Sequence, residues 1–198
     1  MSIADGGAVD VVHASCPAEW RAWLEQRSAS RPQAWLVIPH ARSGRAGVSH
    51  RQAIEEALCF GWIDGLARRH DATSWRQRFS PRSPRSAWSS INRELVAELT
   101  REGRMAPAGL AAVATAQRTG MWELLADAQA GIVPPELRAA LDEVPGAARG
   151  WLAWSPSARR AALESLARAK RPDTRTRRIA AVVTAAAAAP VGGAPSPR

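Results

Sequence analysis

At Gly61 the period of the hydrophobic pattern changes, and that change limits the chain to folds that combine helix with sheet. Before it, Ser49-x-x-Gln52 reads as a capping box, and Ile54, Ala57, Leu58 and Gly61 trace the buried stripe of the helix it opens. After it, Trp62, Asp64 and Leu66 alternate with Ile63, Gly65 and Ala67, while Trp75, Gln77 and Phe79 alternate with Arg76 and Arg78. Residues 62–69 and 74–79 are therefore predicted strands, joined as a hairpin through Arg69-His70-Asp71-Ala72-Thr73. The apolar run Ala34-Trp35-Leu36-Val37-Ile38, closed by Pro39, reads as a third, buried strand, and Val9, Val11 and Val12 make a short β-branched run before the first helix.

That first helix is announced by Cys16-Pro17-Ala18-Glu19, in the places of N-cap, N1 proline and capping-box glutamate, with Trp20, Trp23 and Leu24 on one apolar face. From Ser89 onward everything reads as helix. Ile91, Leu95, Val96 and Leu99 form an apolar set closed by Gly103, and Pro107, Pro134 or Pro135, Pro156 and Pro172 each stand where N1 of a further helix belongs. The expectation is an α+β domain over residues 1–103, with a small antiparallel sheet of segments 34–38, 62–69 and 74–79 flanked by helices. A helical region follows over 104–189, ending in an alanine run expected to fray, and a disordered Gly/Pro/Ser tail over 190–198.

The charge is lopsided. Lys+Arg number 27 against 18 Asp+Glu, a net +9, and Lys170 is the only lysine. Two cysteines, Cys16 and Cys59, make neither a disulfide framework nor a zinc set. Asp5, two glycines and Asp10 stand where a signal peptide needs a basic flank and an apolar run, and the stretch 179–189 reaches about half of the roughly 20 residues that span a bilayer. A cytoplasmic protein without membrane insertion is expected.

Residues 68–85 hold Arg68, Arg69, Arg76, Arg78, Arg82 and Arg85 against Asp71 alone, a net charge of +5, interleaved with Trp75 and Phe79 and followed by Trp88. Arginines that neutralise phosphates beside aromatics that stack on bases are the pattern of a single-strand nucleic-acid surface. The competing reading turns the aromatics into the core and leaves the arginines as the exposed side of a hairpin. The basic loop 42–47 has glycines that would let backbone amides approach an anion, but it lacks the spacing of a phosphate loop. No nucleophile stands beside a base at recognisable spacing, the four histidines fall at no ligand spacing, and Asp64 reads as the partner of Arg76 or Arg78 across the hairpin. No cofactor and no catalytic residue is assigned.

Several blocks resemble the YdeI/OmpD-associated family, also called bacteriocin-protection proteins: residues 16–24, the Cys-Phe-Gly-Trp-Ile-Asp-Gly run within 55–65, Arg78-Phe79-Ser80-Pro81-Arg82 continuing to residues 88–93, residues 103–110, and Ala169-Lys170-Arg171-Pro172-Asp173. Cys16 stands where a capping serine is usual, Ala106 where threonine is, His40-Ala41 where lysines are and His50 where tyrosine is. The resemblance implies protection against bacteriocins or cationic peptides and, by the family's name, association with an outer-membrane porin. The function read from this is non-enzymatic: a bacterial stress or envelope-defence protein with a basic, Trp-lined cleft for a protein partner or anionic ligand, nucleic acid being the alternative and a small enzyme the second. The cleft is assigned to Trp62, Asp64, Arg76, Arg78, Arg82, Trp88 and Asn92, with Lys170 and Arg171.

Overall fold

The computed structural model describes residues 10–189, so Val9 and the tail 190–198 lie outside the described residues. The chain divides into two compact units, one of residues 1–86 with 91–119, the other of residues 87–90 with 120–198.

The first unit is built on a four-stranded sheet in the order β1-β2-β4-β3, where β1 is Asp10–His13, β2 Ala34–Pro39, β3 Trp62–Arg69 and β4 Ser74–Pro81. The three expected strands form its antiparallel part, Leu36 opposite Gln77 and Asp64 opposite Phe79. β1 adds a parallel edge to β2, which makes the sheet mixed within the expected α+β class. Partners opposite each other share a face. Ala34, Leu36, Ile38, Gln77 and Phe79 thus fall on one side and are buried, whereas Trp35, Val37, Arg68, Arg76 and Arg78 fall on the other.

Helices α1 (Pro17–Arg27) and α2 (His50–Cys59) cover the buried side. Trp20 of α1 packs against Phe79 with ring centroids 5.3 Å apart and donates its indole N–H to the Ala53 carbonyl at 3.1 Å. Trp23 meets Trp62 edge-on at 5.8 Å. The capping box Ser49/Gln52 forms as expected. At α1 the cap differs: Cys16 makes no side-chain bond, and Ser15 instead donates its backbone N–H and its hydroxyl to the Glu19 carboxylate, each at 2.8 Å. These bonds hold the Glu19 carboxyl below its usual range. Gly61, at φ +72°, reverses the chain from α2 into β3 in a conformation that a side chain disfavours.

Beyond the sheet lie α3 (Ser90–Arg101), which buries Leu95, Val96 and Leu99 but leaves Ile91 exposed against expectation, and α4 (Pro107–Arg118). Ala106 caps α4 without a side-chain bond, and its N–H goes to the Cys59 carbonyl at 3.0 Å.

The second unit is helical: α5 (Ala126–Gln129), α6 (Pro135–Glu143), α7 (Ala147–Ala153), α8 (Pro156–Ala167) and α9 (Pro172–Ala187). Pro107, Pro135, Pro156 and Pro172 all start helices, as expected. Leu137, Leu141, Trp151, Leu163, Leu166 and Val183 form the core of this unit. The alanine run stays helical to Ala187, because Ala186 packs with no exposure in that core. Arg175 grips Glu136 through two guanidinium nitrogens and donates to the Leu166 carbonyl at 2.9 Å, tying α9 to α6 and α8.

Two glycines set how closely helices pack. A Cβ on Gly109 of α4 would fall 2.2 Å from the Cys59 carbonyl oxygen, and one on Gly150 of α7 would fall 1.8 Å from that of Ala186. Both neighbours are backbone and cannot swing aside. Gly109→Ala and Gly150→Ala are each expected to destabilise by roughly 1–3 kcal/mol, as overpacking does. Chemical denaturation of both variants, with Gly103→Ala at an open turn as a comparison for pure backbone effects, measures this.

Candidate functional site

The strand β4 alternates as its sequence says, but its two faces do different work. Phe79 and Gln77 are buried toward the helices, Gln77 donating its amide to the Gly65 carbonyl at 2.8 Å where β3 bulges between Asp64 and Ala67. On the opposite face Arg76 and Arg78 stand between Arg68 of β3 and Trp35 and Val37 of β2. The guanidinium carbons of Arg76 and Arg68 lie over the Trp35 ring, 5.0 and 5.6 Å from its centroid. Such cation–π contacts contribute about 0.5–1 kcal/mol at exposed sites, and here they fix where two long side chains point. Arg78 lies along Gly65, where an added Cβ would come within 3.2 Å of its guanidinium. The missing side chain at Gly65 is what gives that guanidinium room over β3.

Among the described residues, Arg68, Arg76 and Arg78 have no carboxylate within ion-pair distance. The Nε–H groups of Arg76 and Arg78 are buried and meet no acceptor. Arg68 is exposed, while Arg76, Arg78 and Trp35 are half-buried. Three cations without a counter-charge share this face, two of them aimed by one indole and two of them partly stripped of water, which makes a surface suited to an anion.

The other expected residues are placed differently. Trp62 is 2% exposed and Trp88 1%, so both are packing residues, Trp62 against Trp23 and Trp88 against Trp122 with centroids 5.0 Å apart. Asp64 stands opposite Phe79, on the far side of the sheet from Arg76 and Arg78, so neither of those is its partner. Its charge acts on Arg82, whose guanidinium burial pulls down to about 10 while Asp64 opposes the shift. Asn92 is half-buried in the first turns of α3. Trp88, Lys170 and Arg171 belong to the second unit, not to the unit that carries the sheet.

A second charged cluster escaped the sequence reading. Glu56 of α2 is 5% exposed and is held by Arg21 of α1 at 2.8 Å and by Arg104 at 2.6 Å. Arg21 also donates to the Arg104 carbonyl at 2.9 Å. Burial works against the charge on Arg104, but its bonds to Glu102 and Glu56 outweigh it and hold the guanidinium above its ordinary value. Beside them, burial pushes the Cys59 thiol up despite Arg21, which keeps it a poor nucleophile. The cluster is therefore a structural clamp rather than a reactive centre. Among the described residues, no group of three or more His, Cys, Asp or Glu side chains is arranged to hold a metal ion, and no helix is long and apolar enough to cross a membrane.

Residues 12–112 match a family described as a domain of unknown function (DUF8412). The chain belongs to that family. Residues 130–189 match the family described as bacteriocin-protection, YdeI or OmpD-associated, which bears out the family resemblance; of the motif blocks, the one at residues 169–173 lies inside that match. No curated protein and no solved structure matches the chain. Apart from residues 87–90, the DUF8412 match falls within the sheet-bearing unit, and the YdeI/OmpD-associated match falls within the helical one.

Removing the clamp's carboxylate is expected to be costly. Glu56→Gln leaves two guanidiniums facing a neutral amide, and because each keeps about a third of its side-chain exposure, the loss is on the order of 2 kcal/mol rather than the 3–5 of a fully buried broken pair. A urea melt of the variant measures it, and an unchanged midpoint would show that the clamp does not hold these helices together.

Proposed function

We propose that this protein is a non-enzymatic binding module of bacterial envelope or stress defence, which takes an anionic partner on the outer face of its sheet. The observation that carries this reading is the set Trp35, Arg68, Arg76 and Arg78: three cations on one sheet face, two of them held over an aromatic ring, with no internal counter-charge. The match of the helical unit to the bacteriocin-protection family supports the biological setting. In that setting a basic surface competes with cationic peptides for the anionic groups that such peptides seek. Arg82 lies just past the end of the same hairpin and extends the proposed region toward Asn92, whereas Asp64 lies on the opposite side of the sheet and is left out of it.

A nucleic-acid surface needs aromatic faces open to bases. Phe79 and Trp88 are buried, Trp75 packs against His50 with centroids 5.2 Å apart, and Trp35 lies under two guanidiniums. What remains of that reading is phosphate attraction alone.

The test is fluorescence anisotropy with a labelled oligoglutamate peptide at low salt, with a single-stranded oligonucleotide as competitor. Arg76→Gln/Arg78→Gln is expected to weaken peptide binding by about tenfold or more, which is about 1.4 kcal/mol, and Trp35→Leu by several-fold with all charges retained. Equal binding by parent and double variant sinks the proposal. Preference for the oligonucleotide, with log K falling at roughly −0.7 per phosphate against log salt, moves the assignment to nucleic acid. In cells challenged with a cationic peptide, the double variant should protect less than the parent at equal expression.

A further inference from the structure

We propose that the helical unit carries a binding site of its own, a hollow that takes a small carboxylate joined to a flat or branched apolar group. This site is independent of the arginine face of the sheet. The hollow measures about 340 Å³, at the lower end of the roughly 300–1,000 Å³ typical of small-molecule pockets. Ala128, Trp151 and Leu163 line it, all at most 5% exposed, so it has an apolar floor. Pro156, Arg159, Arg160 and Leu163 also line it, and their spacing of three, four and seven residues places them along one face of α8.

Charge decides what such a hollow accepts. No Asp or Glu lines it, and among the described residues neither Arg159 nor Arg160 has a carboxylate within ion-pair distance. The neighbouring acid, Glu164, accepts from the Gln129 amide at 3.0 Å and pairs with Arg168 at 3.3 Å. Gln129 spends its other amide atom on the Ser90 N–H at 2.6 Å, so it serves as wall and leaves the arginines as the polar groups able to orient a ligand. A guanidinium binds a carboxylate through two parallel hydrogen bonds, and an apolar floor wants an apolar body. A carboxylate with a phenyl-sized group satisfies both at once, whereas an inorganic anion leaves the floor empty and a neutral hydrocarbon leaves the arginines unused.

The probes are 3-phenylpropionate and its neutral analogue 3-phenylpropionamide, titrated into the full chain and followed by backbone amide and indole N–H shifts. The acid is expected to bind about tenfold tighter than the amide and to move the signals of Ala130, Gly131 and Trp151. In Arg159→Gln/Arg160→Gln the acid should fall to the affinity of the amide. Because the amide's own binding depends on the apolar floor, its persistence in the variant shows that the hollow has kept its shape. Equal affinity for acid and amide in the parent, no binding of either, or acid binding that the double variant leaves unchanged each overturns the proposal. Oligoglutamate binding on the sheet face should be untouched by the Arg159/Arg160 variant, so the two sites fail separately.

Discussion

The buried carboxylate of Glu56 is the constraint on which the sheet-bearing unit depends. A charge with 5% exposure is tolerated only where it is paired, and its two partners come from distant parts of the chain, Arg21 in α1 and Arg104 after α3. Arg21 reaches the Arg104 backbone as well, so the clamp fixes backbone position along with charge. With α1 and α2 held together, Trp20 and Trp23 are committed to Phe79 and Trp62 on one side of the sheet. The other side then carries the second phase of each strand's alternation. The arginine face is in this sense a consequence of where the helices are pinned.

How much of this was legible depended on whether the deciding interaction was local. The capping box at Ser49, the prolines that open α4, α6, α8 and α9, and the alternation of β4 are set by residues within a few positions of each other, and the sequence shows them. Glu56 was not visible, because Glu55-Glu56 looks like a solvated pair until residues 21 and 104 are brought beside it. Trp35 was hidden for a different reason: an unbroken apolar run has no polar phase to tell which side faces out, and it read as wholly buried. The parallel pairing of β1 is made across the whole of α1. Helices α5 and α7 start at Leu125 and Gly146 without a side-chain cap or an N1 proline, so neither start carries a signal.

The candidate residues divide along the same line. The shared face of Arg76 and Arg78 was legible because period two separates them from Phe79, and a sheet register preserves that separation. Trp62 and Trp88 were chosen as aromatics near arginines, yet proximity in sequence says nothing of burial, and both went to packing. Asp64 misled through the bulge. Counting positions along β3 without it gives no warning that Asp64 and Arg78 end on opposite faces, whereas the register opposite Phe79 settles the side.

The distribution of acids gives the arginine face its meaning. In the sheet-bearing unit the carboxylates are spent close to the helices and loops: Asp10 on Arg31, Glu55 on Arg51, Glu56 on Arg21 and Arg104, Glu102 on Arg104, Asp71 on Arg45. The cations of the outer face receive none of them. A folded chain with a net +9 must leave some arginines without a partner, but it need not gather three of them on one sheet face, since like charges at that spacing repel. Their repulsion is reduced when an anion enters among them, and the Nε–H groups already withdrawn from water make hydration a weaker competitor for that role. The surface therefore carries an unfavourable arrangement in the free chain that a negatively charged partner would relieve, which is the physical basis for proposing binding rather than stability as the role of these residues.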